Sequence, residues 1–394
     1  MFILIQSEQM FGFFVIFDYV IKLYFDMRIE TEIELDYSDV LIKPRRSTIA
    51  SRKDADITRE YNFRWSGRTV KGTGIMQANM GTIGNFAVSR KMLDAGLFAC
   101  LHKHHNVEDL VEFYRTLVDD KDTYLRCLLA VGLKDNGVEK VREIKRQLGV
   151  TVSVRLDVPN GYIPQIKQLV VDLRAEFPDM IIFVGNVVTG DITEDLILSG
   201  ADVAVCGIGG GSACSTRKQT GVGRPQLSAV IECADAAHQV GGMVCADGGI
   251  TCPGDIGKAF GAGGDFVMIG GLYAGTDEAE GEIVVKYYKT GEVTAEHDPV
   301  YTCKKFKEFY GMSSTLAQEK FGNGKPSYRA SEGRVALVPY VGSVDDVNEE
   351  FLGGLRSTMT YLGAKRLKDI PKCCVFYRVN HQLNTIYEST TIGK

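Results

Sequence analysis

The chain carries no excess of positive charge. Its 394 residues hold 45 Lys and Arg against 50 Asp and Glu, a formal net charge of -5. Nucleic acid and anionic membranes select basic surfaces, so neither is an expected partner. An anionic small ligand stays open, because local backbone amides bind one whatever the net charge. The ten cysteines contain no Cys-x-x-Cys, and none pairs with histidine at ligand spacing. That excludes a zinc site of the usual kind and points to a reducing compartment, the cytoplasm. No leader or membrane span is convincing: the apolar run 10–17 is bracketed by Glu8 and Asp18, lacks a basic region before it, and is too short to cross a bilayer. Residues 1–26 are expected to be an extension without function, with a weak membrane-surface or targeting role as the alternative. The folded protein is expected to be one domain over 27–394. Low-complexity runs and internal repeats are also lacking.

What is present is a rhythm. Short apolar runs at 74–78, 97–101, 126–131, 151–156, 180–184, 201–206, 242–246 and 266–269 alternate with segments of helical period at 85–95, 107–117, 137–148, 163–177, 192–198, 225–240 and 253–260. Eight strands in such alternation predict an α/β fold, a (β/α)8 TIM barrel, with an open doubly wound sheet as the alternative. A barrel carries its chemistry on the loops that follow the strands. Those loops hold Asn79–Thr82, the run His102-Lys103-His104-His105, the segment 157–162, Gly185-Asn186, the segment 207–226, Asp247-Gly248-Gly249 and Gly270-Gly271. The last two loops are where this fold grips phosphate with backbone N–H groups, and Asp247 is placed to accept from ribose hydroxyls. Residues 275–308 read as a charged stretch of low order, 309–333 as a flap of turns and polar side chains, and 353–361 as the start of a terminal helix.

The sixth loop reads GIGGGSACSTRKQTGVGRPQ over 207–226. A packed cysteine has apolar neighbours, whereas Cys214 has Ser212, Ser215, Thr216 and glycines, with Arg217 and Lys218 following. A thiol attacks as thiolate, which nearby positive charge and open amides favour. Cys214 is therefore the candidate nucleophile.

Taken together, YSDVLIKPRRST (37–48), HKHH (102–105), DVPNGY (157–162), GNVVTGD (185–191), the 207–238 segment, ADGGITCPGD (246–255), FVMIGGLYAGT (266–276), FYGMSS (309–314), YRASEG (328–333) and GGLRSTMTYLGA (353–364) make the chain resemble the GMP reductases. These belong to the wider IMP dehydrogenase/GMP reductase family, and the resemblance covers about 27–387. No insertion of the kind that IMP dehydrogenases carry separates the early strands. The Arg-Tyr pair with which those enzymes activate water finds no match in 275–333; Tyr328-Arg329 has the reverse order.

The resemblance implies reductive deamination of GMP to IMP and ammonia with NADPH in purine salvage, through a thioimidate on Cys214. It assigns the proton donor to Thr216 and Glu332. It implies phosphate contacts from Ser212, Gly248, Gly249, Gly270 and Gly271, ribose contact from Asp247, and base contacts from Met312, Ser313, Ser314, Arg329, Ala330, Ser331, Glu332 and Gly333. Lys103, Asp157, Asn160 and Gly161 would face the nicotinamide. Ser51, Arg52, Ser357, Thr358, Met359 and Thr360 would meet the rest of NADPH, from this or a neighbouring subunit of a homotetramer. A monovalent cation such as K+ would sit at Gly209, Gly211, Cys214 and Arg217. Four residues depart from the family pattern: Gly81 where a carboxylate is expected, Pro159 for alanine, Gly210 for proline and Arg224 for an aromatic residue. The alternatives are IMP oxidation with NAD and a catalytically weakened nucleotide-binding barrel.

Overall fold

In the computed structural model, residues 29–133, 135–294, 297–322 and 330–380 are described. The segment expected to be an extension, 1–26, lies outside them, as does Arg329. Residues 29–34 hold no helix or strand. The described residues from Leu35 onward form one compact unit.

Eight parallel strands form its centre: β1 Ile75–Gln77, β2 Ala99–Leu101, β3 Cys127–Val131, β4 Ser153–Asp157, β5 Ile182–Val187, β6 Val203–Cys206, β7 Met243–Asp247 and β8 Phe266–Ile269. From β2 onward each pairs with the next, and β8 pairs back onto β1. The last seam closes between β1 and the residue before β2, where Phe98 N–H donates to the Ile75 carbonyl at 2.9 Å. The sheet is thus a (β/α)8 TIM barrel. Its strands are buried on both faces, which is why they read as continuous apolar runs; all five residues of β3 are buried.

The helices between strands are α1 Phe86–Asp94, α2 Val107–Arg115, α3 Lys121–Arg126, α4 Gly137–Leu148, α5 Pro164–Glu176, α6 Gly190–Leu198, α7 Thr216–Thr220, α8 Gln226–Gln239 and α9 Pro253–Gly261. Local chemistry sets their ends. Asn85 caps α1 by accepting from Val88 N–H at 2.9 Å, and Gly149 ends α4 in the left-handed region. The short helices α3 and α7 carry no sequence signal that the periodicity picked up.

A hairpin of Arg59–Asn62 with Thr69–Gly72 brings Tyr61 and Phe63 against barrel residues. Tyr61 stacks on Phe266 at 4.5 Å, and Phe63 packs near Phe183.

The stretch 275–308 contradicts its reading as low order. It forms two long antiparallel strands, β9 Ile283–Val293 and β10 Pro299–Tyr310, and β10 then pairs with β11 Val335–Pro339. Lys307 anchors this sheet: its buried ammonium donates to the carbonyls of Thr276 at 2.9 Å and Ala279 at 2.5 Å. Between β10 and β11 lies α10 Thr315–Phe321, capped by Ser314. The helix expected from Gly353, α11 Val344–Leu362, begins nine residues earlier at a Ser343/Asp346 capping box, packs on α9, and is followed by a short helix Ile370–Cys373.

Candidate active site

The rim loops enclose a cavity of about 760 Å³. The β6 loop brings Cys214 to its wall, half-buried. Two residues on, at the start of α7, the Thr216 hydroxyl lies 3.2 Å from Cys214 Sγ and donates to Glu332 Oε2 at 2.8 Å. Glu332 arrives from a segment 116 residues away in sequence, laid along the loop by backbone hydrogen bonds. Ser215 N–H donates to the Glu332 carbonyl at 2.8 Å, and Arg334 N–H to the Ala213 carbonyl at 3.0 Å. A thiol, a hydroxyl and a carboxyl thus form a continuous chain at the cavity wall. An arrangement of this kind can pass a proton between its members.

The cations expected beside the thiol are turned away. Arg217 pairs with Asp36 at 3.1 Å and donates to the Arg224 carbonyl, and Lys218 is exposed. The Arg217 side chain is thus engaged with Asp36 and with the backbone of its own loop. Of the other residues expected at the cation position, the Gly211 carbonyl already accepts from Cys214 N–H at 3.0 Å. Among the described residues no group of three or more His, Cys, Asp or Glu is disposed to hold a metal ion.

Ser212, Gly248, Gly249, Gly270 and Gly271 come together on the cavity wall. Gly248 and Gly249 have φ of 98° and 79°, a backbone turn that side-chain-bearing residues rarely adopt. The Gly249 N–H donates to the Gly210 carbonyl at 3.0 Å. Met312, Ser313 and Gly333 also line the cavity. Ser314 is buried as the α10 cap, and Ser331 hydrogen-bonds to the Ser313 and Gly333 carbonyls, so both hold the segment in shape. Ala330 is exposed and does not line the cavity. Gln318, which the sequence did not single out, does line it. The Gln318 side-chain oxygen is buried without a hydrogen-bond partner among the described residues.

At the other end stand Lys103, Asp157 and Asn160. The α4 residue Lys140 holds the 102–105 loop by donating to the carbonyls of Lys103 at 2.8 Å and His105 at 2.6 Å. Gly161 is off the wall, its N–H bonded to the Asn186 carbonyl at 3.0 Å. Ser51, Arg52, Ser357, Thr358, Met359 and Thr360 do not reach this cavity. They form a separate patch where the turn Arg52–Asp54 packs against α11. Met359 is buried in the core.

Beneath both ends lies a residue the sequence reading missed. Arg155 on β4 is buried, ion-paired with Asp157 and lying 3.4 Å from Asp247. Burial presses the Asp157 carboxyl upward, but Arg155 and then Lys103 overcome this and hold it below the ordinary value. For Asp247 burial wins over Arg155 and Asn186, and its carboxyl is raised.

Comparison with known proteins agrees with this geometry. The family described as the IMP dehydrogenase / GMP reductase domain matches residues 34–390. The chain belongs to the IMP dehydrogenase/GMP reductase family. Among its relatives are proteins named GMP reductase from Vibrio cholerae and Aliivibrio salmonicida, each 45% identical over 361 residues. Another, from Vibrio parahaemolyticus, is 43% identical. Each alignment covers 92% of this chain and 99% of the relative. Family membership agrees with the barrel.

Proposed function

We propose that this protein converts GMP to IMP and ammonia with NADPH as reductant. The Cys214–Thr216–Glu332 chain carries this reading. Carbon 2 of guanine bears an amino group and is electrophilic once the ring is protonated or hydrogen-bonded. Cys214 Sγ adds there. Proton delivery along Glu332 and Thr216 turns the amino group into ammonia, the C2–N bond breaks, and a thioimidate remains. NADPH, when bound, supplies hydride to carbon 2. Collapse then breaks the C–S bond, returning the thiolate and releasing IMP.

The cavity suits this assignment. Its Ser212–Gly271 wall takes phosphate, Asp247 the ribose, and Met312, Ser313 and the unpartnered Gln318 oxygen the base. The volume beyond Asp247 leaves room for a second ring against Lys103, Asp157 and Asn160. Segment 275–333 acts as a flap. We include in the proposal a cytoplasmic homotetramer serving purine salvage, whose Ser51–Arg52 and α11 patch meets the remainder of a dinucleotide bound by a neighbour. A monovalent cation at the 209–217 loop is assigned no chemical step. No helix among the described residues is long and apolar enough to cross a membrane.

Mass spectrometry of protein trapped with GMP should find a purine adduct on Cys214, and Cys214→Ala should lose adduct and turnover while keeping nucleotide binding. Turnover that persists in Cys214→Ala refutes the mechanism. Turnover only with IMP and NAD would assign the dehydrogenase direction instead.

A further inference from the structure

Strand β4 sends Arg155 to the floor of the cavity, with its side chain 2% exposed. A charge buried this deeply is stable only with partners. One guanidinium N–H donates to Asp157. Another donates to Asn186 Oδ1 at 2.8 Å and lies 3.4 Å from Asp247 Oδ2. Asn186 closes the ring, donating to the same Asp247 oxygen at 2.8 Å and to the Gly207 carbonyl at 2.7 Å. Asp157 borders the Lys103–Asn160 end of the cavity and Asp247 the Gly248 end, so a single cation ties the two halves together.

Resting on the GMP reductase reading, we infer that Arg155 is a positioning residue that keeps Asp157 and Asp247 ionised and aimed, so that one guanidinium sets both the ribose-binding and the nicotinamide-facing carboxylates. Without it, two carboxylates would share the floor and repel. One would then take up a proton near neutrality. A protonated Asp247 loses acceptor capacity for the ribose hydroxyls. The other charged or titratable groups facing this cluster are Lys103 and His104 from the loop after β2, Cys100 from β2 and Cys245 from β7. Lys103 favours the ionised Asp157. Lys103 is not among the groups that bear on Asp247, where Arg155 and Asn186 alone oppose the effect of burial.

The test compares GMP binding by calorimetry, and KM for GMP and NADPH, from about pH 6 to 9 in wild type, Arg155→Met, Arg155→Lys and Arg155→Met/Asp157→Asn. Truncating one partner of a buried pair should weaken GMP binding at least about tenfold at neutral pH. In Arg155→Met the loss should shrink as pH rises and the carboxylates ionise. Asp157→Asn, which removes the repelling charge, should move that recovery to lower pH. Arg155→Lys should keep the profile flat with a smaller loss. Should Arg155→Met fail to fold, Arg155→Gln replaces it. A loss of equal size at every pH, unchanged by Asp157→Asn, would overturn the inference, as would unaltered binding. Those outcomes leave the proposed activity standing in the wild type. An inactive wild type that shows the pH-dependent binding pattern refutes the activity and keeps the role of Arg155.

Discussion

Replacing Glu332 by glutamine tests the proton chain most directly. The amide has nearly the shape of the carboxyl and can still bond to Thr216 Oγ1, now 2.8 Å from Glu332 Oε2. What it cannot do is hold an acidic proton and pass it through that hydroxyl towards the group attached at Cys214 Sγ, 3.2 Å from Thr216 Oγ1. The Ser215 N–H bond to the residue 332 carbonyl is backbone, so the segment stays in place. A positioned general acid is worth about 10²–10⁴-fold, roughly 3–5 kcal/mol of barrier. The Glu332→Gln variant should therefore lose about 10²–10³-fold in kcat, with KM for GMP within about threefold, because the lost interaction is made in the transition state. Single-turnover release of ammonia, followed alongside the absorbance of reduced nicotinamide, reads the loss at its step. Thr216→Val should cost a similar factor, and the double variant little more, since the two act as one relay. A kcat within about threefold of wild type, or a loss lying wholly in KM, would refute the relay.

Two further outcomes follow from the packing. Lys307→Met leaves the Thr276 and Ala279 carbonyls without their ammonium donor and should cost roughly 2–4 kcal/mol, loosening β10 at its base; thermal melting and protease cleavage within 283–310 read it, and an unchanged cleavage rate contradicts the anchoring. His238 Nε2 donates to Asp265 Oδ2 at 2.8 Å, and that hydrogen bond, against partial burial, raises its pKa. A raised folded-state value stabilises the fold below the unfolded pKa, and the gain is lost as pH rises through the folded one. The Tm deficit of His238→Ala should accordingly be larger near about pH 6 than at about pH 9, though small because the ring is part-exposed. A deficit that grows with pH would contradict this sign.

The barrel was legible because its strands are buried on both faces. β8 begins and ends where the apolar run does, and the other strands fall within two or three residues of theirs. The hairpin β9–β10 was not legible. Both faces of that ribbon are largely exposed, with Tyr287 at 71%, so no inside-outside alternation marks it and its lysines read as disorder. The Cys214 loop announced itself through its polar neighbours, but its pairing with Glu332 joins positions 116 or more residues apart, and only the family motifs suggested it. Arg155 left one usable signal. A charged residue inside an apolar strand, two positions before Asp157, shares its face and must find a partner there.

The departure at Gly81 shows how the flap and the barrel constrain each other. A carboxylate is expected there, yet a Cβ added at Gly81 would lie 2.7 Å from Phe321 and 2.9 Å from the Tyr310 hydroxyl. The space belongs to the flap. Phe321 stacks on His104 at 4.3 Å, and His102 stacks on His105 at 3.8 Å. Burial, with the neighbouring histidines, pushes His102 down to about 3, and burial with Lys103 pushes His104 to about 4. Both rings are therefore neutral at pH 7, and an aromatic side chain packs on them without stripping water from a charge. The flap is thus held at two places: by neutral rings on the loop after β2, and by backbone hydrogen bonds along the cysteine loop after β6. Because the second attachment delivers Glu332, the proton chain of the proposed mechanism depends on residues 330–334 lying along the cysteine loop.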